Sequence, residues 1–143
     1  MADTVSVLRL TREGAMKIMD ATYAAAGKKA AKMSVAIVDD GGNLILFSRS
    51  DNAGLTTQNV AMAKARAAAM TRFPTGKKSA SGNDRSDHHA LAITLAAGTD
   101  RFVTMEGGIP IKVKGQVIGG VAVSGAGDND PEIAAAGAAV LDV

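Results

Sequence analysis

His88 and His89 are the only imidazoles of the chain, adjacent and just downstream of a polar stretch. They are the first residues to weigh for proton transfer or for axial ligation of an iron. Neighbours on a helix diverge by about 100°, so the two cannot grip one metal ion together. One alone could serve as a general base or an axial ligand, while a solvated helix N-terminus accounts for both without any function.

Arg49 and Asp51 stand where a predicted strand gives out into a loop, a place where side chains converge on ligands; a surface ion pair explains them as well. Glu106-Gly107-Gly108 lies between two β-prone runs, with Arg101 one short strand away. Paired glycines let backbone N–H groups approach an anion, so a carboxylate suits this turn. An ordinary hairpin needs the same glycines. Lys64 and Arg66 sit on an alanine-rich helix and read as its solvated side.

Read as an enzyme, these residues describe a cofactor-free isomerase, tautomerase or lyase acting on a small oxo- or hydroxy-acid in a catabolic pathway. Arg49 or Arg101 would bind the substrate carboxylate, and His89 or Asp51 would move a proton beside its carbonyl. Other chemistries find no support. No GxGxxG or Gly-Lys-Ser/Thr arrangement opens a helix after a strand, no Ser-His-Asp order is recognisable, and the carboxylates lack metal-ligand spacing. With no cysteine, disulfides, thiolate nucleophiles and Cys-ligated metal sites are excluded, and the cytoplasm is the expected compartment.

These residues must be positioned by a core of small side chains. Of 143 residues, 47% are hydrophobic but only 3% aromatic, which favours helices lying close on a sheet. The length predicts one domain over 1–143. Sixteen basic against 14 acidic residues give a formal charge of +2, with no block of like charges that would form a phosphate-binding stripe. Nucleic acid is therefore not an expected partner. Neither a leader segment nor a membrane-spanning run is expected from the sequence.

Thr11 is placed to cap a first helix to about Ala31, with Met16, Met19, Tyr23 and Ala26 as its buried stripe. Met33 to Val38 and Leu44 to Arg49 flank Asp39-Asp40-Gly41-Gly42-Asn43 and predict a β-hairpin. Thr56 or Thr57 caps a second helix that Pro74 ends. Thr75 to Asp87 is polar and glycine-rich, predicted as the most mobile segment or a lid. Asp87 then caps a third helix carrying Leu91, Ile93 and Leu95. Arg101 to Met105, Ile109 to Val113 and Val117 to Ser124 predict three more strands, with Pro110 at an edge or strand start. Asp130-Pro131-Glu132 starts a last helix, Ile133 to Leu141. Hairpin groups separated by helices, rather than alternating βα units, argue for an α+β fold with an antiparallel sheet.

Four segments, in order, resemble the GlcG/HbpS-like family, which includes the C-terminal domain of PduO-type proteins. They are Met33 to Leu44, Arg49-Ser50-Asp51-Asn52-Ala53 with the Lys64 to Ala69 helix, Glu106 to Ile111, and Gly115 to Gly125. The resemblance implies a profilin-like fold, a five-stranded antiparallel sheet flanked by helices, and homo-oligomers from dimer to octamer. It also implies a small-ligand-binding protein, with haem or a related tetrapyrrole as ligand and cofactor. The ligand would lie between the Arg49–Asp51 loop, the third helix and the Gly107-Gly108 turn. Some haem-binding members use a histidine near the N-terminal helix; here His88 and His89 are the available imidazoles. Arg49, His88, Arg101, Glu106, Gly107 and Gly108 are thus the expected ligand-binding residues, and His89 and Asp51 the catalytic pair of the enzyme reading.

Overall fold

The computed structural model of the protein describes residues 2–142. Thr11 caps α1 (Arg12–Ala26), its hydroxyl accepting the Gly14 N–H at 3.0 Å. The stripe that α1 buries is Ala15, Ile18, Thr22 and Ala26, not the expected Met16, Met19, Tyr23 and Ala26. The reason is the neighbour: α4 approaches α1 so closely that a Cβ on Gly137 would overlap the Thr22 hydroxyl. Only the small and β-branched side of α1 fits there, and Met16 and Met19 lie instead beside Leu46 and Phe47. Helix α1 also ends earlier than expected. Gly27 takes φ +56° and the chain tightens into a 3-10 helix over Gly27–Lys32.

Strands β1 (Ser34–Asp39) and β2 (Leu44–Arg49) form the predicted hairpin. Its turn is organised by Asp39, whose Oδ1 accepts the N–H groups of Gly41 and Asn43, both at 2.9 Å. Burial alone would raise the Asp39 pKa, but hydrogen bonds from Asn43 and Gly41, with Arg9 nearby, outweigh it and hold the carboxyl below its ordinary value. A carboxylate with a lowered folded pKa contributes stability above the ordinary aspartate range and loses it as pH falls through the lowered value. Asp39→Ala is expected to cost about 1–2 kcal/mol in urea unfolding at neutral pH. The variant should also show a shallower fall in stability below pH ~4, the ordinary aspartate range.

Strands β3 (Gly108–Val113) and β4 (Gln116–Ser124) make a second hairpin through Lys114 and Gly115, whose φ values of +52° and +76° match a two-residue primed turn. The sheet runs β2-β1-β4-β3 with every pair antiparallel. Pro110 lies in β3, an edge strand, as its missing N–H requires. The sheet therefore has four strands, not five. Arg101 to Met105, expected as a strand, instead closes a turn: the N–H groups of Arg101 and Phe102 both donate to the Gly98 carbonyl, at 3.0 and 3.2 Å. Phe102 is buried and cannot alternate outward as a half-exposed strand would.

Helix α2 (Thr56–Thr71) covers one face of the sheet, while α1 and α4 (Asp130–Ala138) cover the other. Alternation along β1 sends Val35 and Ile37 to the α1/α4 side and Ala36 and Val38 to the α2 side. Under the middle of α2 the side chains are mostly small: Ala61, Ala65 and Ala69 meet Ala36, Ala122 and Gly120, with Val38 beside them. Neither Thr56 nor Thr57 caps α2. The helix begins after Leu55, and the Thr57 hydroxyl bonds Gly54 O and Ser34 Oγ. Its last residue is followed by Arg72 at φ +61°, two positions before Pro74. Helix α3 (Asp87–Ala97) is capped by Ser86, whose Oγ accepts the His89 N–H, so Asp87 is its first residue and not its cap.

Candidate functional site

A cleft of about 470 Å³ opens between the segment after α2 and the approach to β3. Phe73 and Pro74 give it an apolar wall. Thr75, Lys77, Lys78, Asp84 and Glu106 supply its polar groups. The segment expected to be mobile is held by its own hydrogen bonds: Ser79 N to Asn83 O, Gly82 N to Ser79 O and Arg85 N to Lys77 O, each 2.9 Å. Arg85 fastens it further. Its Nη1 donates to Gly76 O at 2.9 Å and Lys78 O at 2.8 Å, and its guanidinium lies 5.5 Å from the centre of the Phe102 ring. Asp84 meets Lys78 at 3.4 Å and Lys77 at 4.0 Å. Exposed pairs of this kind contribute little, so either lysine can exchange its partner for another anion at small cost.

The glycine pair lies next to the cleft without lining it, joined to it by Thr75 and Glu106. The Gly108 N–H donates to Thr75 Oγ1 at 2.9 Å, and the Thr75 N–H donates back to Gly108 O at 2.9 Å. A Cβ on Gly108 would strike the Lys64 carbonyl of α2. One on Gly107, whose φ is +123°, would lie 2.7 Å from Val123 O and 2.9 Å from Lys64 Nζ. The glycines therefore allow helix and strand to meet, and carry Glu106 to the rim of the cleft.

Below them lies a group that the sequence disguises. Lys64 is buried, not on a solvated face: its Nζ donates to Val123 O at 3.0 Å and to Asp130 Oδ2 at 3.2 Å. Asp130 Oδ1 in turn accepts the Ala126 N–H at 2.8 Å. Burial pushes the Lys64 pKa below the ordinary lysine value, and the Asp130 carboxylate offsets only part of that. A helical projection places Lys64 close to the stripe of Ala61, Ala65 and Ala68, the one sequence signal for its burial. Arg66 is half-buried, with Nε donating to Gly42 O at 3.2 Å.

The remaining expected residues are dispersed. Arg49 ends β2 and Asp51 lies in the following turn, both exposed. His88 and His89 are exposed on the first turn of α3. Arg101 flanks the other end of α3 beside Gly98. Of the expected set, Glu106 alone lines the cleft. Among the described residues no three His, Cys, Asp or Glu side chains gather into a metal-binding cluster, and no helix is long and apolar enough to cross a membrane.

The family model described as "Haem degrading protein HbpS-like" matches residues 10–139. The chain belongs to this HbpS-like family. Protein GlcG of Escherichia coli (strain K12) is 34% identical over 115 residues, spanning 80% of this chain and 81% of GlcG. A solved double mutant of HbpS from Streptomyces reticuli superposes with a TM-score of 0.79 at 33% identity, covering 100% of this chain and 94% of that one. The PduOC:haem complex shares the fold, with a TM-score of 0.71 at 22% identity, over 92% of this chain and 94% of that one. The HbpS-like likeness thus spans both halves of the sheet and the cleft between α2 and β3.

Proposed function

We propose that this HbpS-like chain binds haem or a related tetrapyrrole bearing carboxylates. The observation that carries the reading is the cleft, which sets an apolar wall of Phe73 and Pro74 beside Lys77 and Lys78, in a chain whose family is described as haem degrading. The lysines suit propionate groups, because an ammonium–carboxylate hydrogen bond is stronger than a neutral one. The cleft walls contain no imidazole. An iron ligand would come from His88 or His89, which follow the cleft loop directly and stand exposed on α3.

Haem titration followed at the Soret band tests this. The wild-type chain is expected to saturate. Lys77→Glu together with Lys78→Glu should weaken binding roughly tenfold, since loss of ~1.4 kcal/mol is a factor of ten. His88→Ala with His89→Ala should abolish the Soret shift. Absence of saturable binding by the wild-type chain overturns the reading. An unchanged Soret spectrum in the double histidine variant overturns the imidazole ligand.

A further inference from the structure

Asn59, Met62 and Arg66 follow one another along α2 at spacings of three and four, so they share one flank of the helix, beside the Ala61, Ala65 and Ala69 stripe that packs on the sheet. With Thr99 and Asp100, from the turn after α3, they line a cavity of about 300 Å³. It shares no residue with the cleft between α2 and β3. Arg66 is fixed there from two sides. Its Nε donates to Gly42 O in the β1–β2 turn at 3.2 Å, and its Nη1 donates to Asp100 O at 3.3 Å. Its stem packs on Gly42, where a Cβ would lie 3.4 Å from the Arg66 Cγ. Among the described residues its Nη2 has no hydrogen-bond acceptor. The Asp100 carboxylate stands 3.9 Å from Nη1, beyond hydrogen-bond length, and is 70% exposed. A pair held so loosely gives way to a ligand at small cost.

We infer that this cavity binds a small zwitterion, an α-amino acid with a short uncharged side chain, its carboxylate on Arg66 and its ammonium on Asp100. A guanidinium matches the planar geometry of a carboxylate, and this one is oriented before any ligand arrives, which lowers the ordering cost of binding. The neighbouring carboxylate decides the class of ligand. A bare carboxylic acid on Arg66 would meet the like charge of Asp100, and a bare amine on Asp100 would meet Arg66. An α-amino acid carries both charges on one carbon and satisfies the two groups together. Asn59 and Thr99 are the neutral hydrogen-bonding residues of the wall, and Met62 is its apolar contact. No further charged residue lines the cavity, so a charged ligand side chain would find no partner there.

The inference is independent of the tetrapyrrole reading, and its test is made without haem. The nitrogen-15-labelled full chain is titrated with L-alanine and followed by its amide chemical shifts. Saturable shifts are expected at Asn59, Thr99 and Asp100. Propionate, which lacks the ammonium, and ethylamine, which lacks the carboxylate, should each bind roughly tenfold more weakly or worse. Arg66→Gln should abolish the L-alanine response. Because Arg66 also ties two turns together, Asp100→Asn carries the test if that variant does not fold. The exposed Asp100 can be changed with the melting profile kept, and its loss should weaken L-alanine roughly tenfold while narrowing the gap between L-alanine and propionate. A lost structural tie would not change that selectivity. A wild-type chain without saturable shifts sinks the inference, as do shifts confined to the Lys77 and Lys78 cleft. Propionate binding as well as L-alanine, or an Asp100→Asn variant with wild-type selectivity, overturns the zwitterion.

Discussion

Asp130→Ala is expected to lower the free energy of unfolding by about 3–5 kcal/mol, the range for breaking a buried ion pair by removing one partner. Lys64 and Asp130 meet at 3.2 Å with their side chains almost inaccessible to water. Without the carboxylate, the Lys64 ammonium keeps the Val123 carbonyl as its named partner, and the Ala126 N–H loses its acceptor. A buried charge left this way must shed its proton or draw water into the fold, and both cost stability. Lys64→Met combined with Asp130→Leu removes both charges while keeping bulk, and should recover most of the loss. Denaturant unfolding of the single and double variants reads the difference. A loss below ~1 kcal/mol for Asp130→Ala would place the pair in the class of solvated surface bridges.

The second large effect belongs to Gly120→Val. Any Cβ there would overlap the Ala65 carbonyl and lie 3.1 Å from the Ala69 nitrogen, so the obstacle is helix backbone and not a side chain that can rotate away. Overpacking of this kind costs about 1–3 kcal/mol, and valine adds two further methyl groups at the tightest point. We expect a loss of about 3 kcal/mol or more, read as a lowered melting temperature. Trimming Ala65 to glycine should not rescue it, because the carbonyl remains. Gly54→Ala is the control. Its nearest neighbour would be a Thr57 methyl at 3.8 Å, and a change within about 0.5 kcal/mol is expected. Equal effects at the two glycines would show that α2 can lift from the sheet.

Much of this architecture was legible because the signals are local. The Asp39 to Asn43 turn, the Lys114-Gly115 turn and the Thr11 cap each depend on residues within a few positions of one another. What stayed hidden depends on distant partners. Arg101 to Met105 has β-prone composition, but Phe102 is drawn under Arg85, and its turn is fixed by Gly98. The buried stripe of α1 is chosen by Gly137 at the far end of the chain. Lys64 is hidden for another reason. Alanines precede and follow it along α2, so the contrast between a wet and a dry face is weak, and only its projection near Ala61, Ala65 and Ala68 marks it as buried. The candidate cleft was half-legible: Glu106 and its glycines stood out, but Arg85 and Thr75 matter through backbone contacts that no motif announces.

The order of the strands also bears on how the chain emerges during synthesis. The centre of the sheet joins β1 to β4, pairing Ser34 with Ser124 and Ile37 with Val121. The first hairpin can close as soon as its turn leaves the ribosome, but its inner edge has no neighbour until β4 has been made. At roughly 5–20 residues per second that interval is on the order of 4–16 s. Throughout it, an unpaired strand bearing Val35 and Ile37 is open to the wrong partner. Slower translation across the stretch from Leu44 to Ser124 is therefore expected to lower yield at raised expression temperature, even for variants whose finished fold is as stable as the parent's.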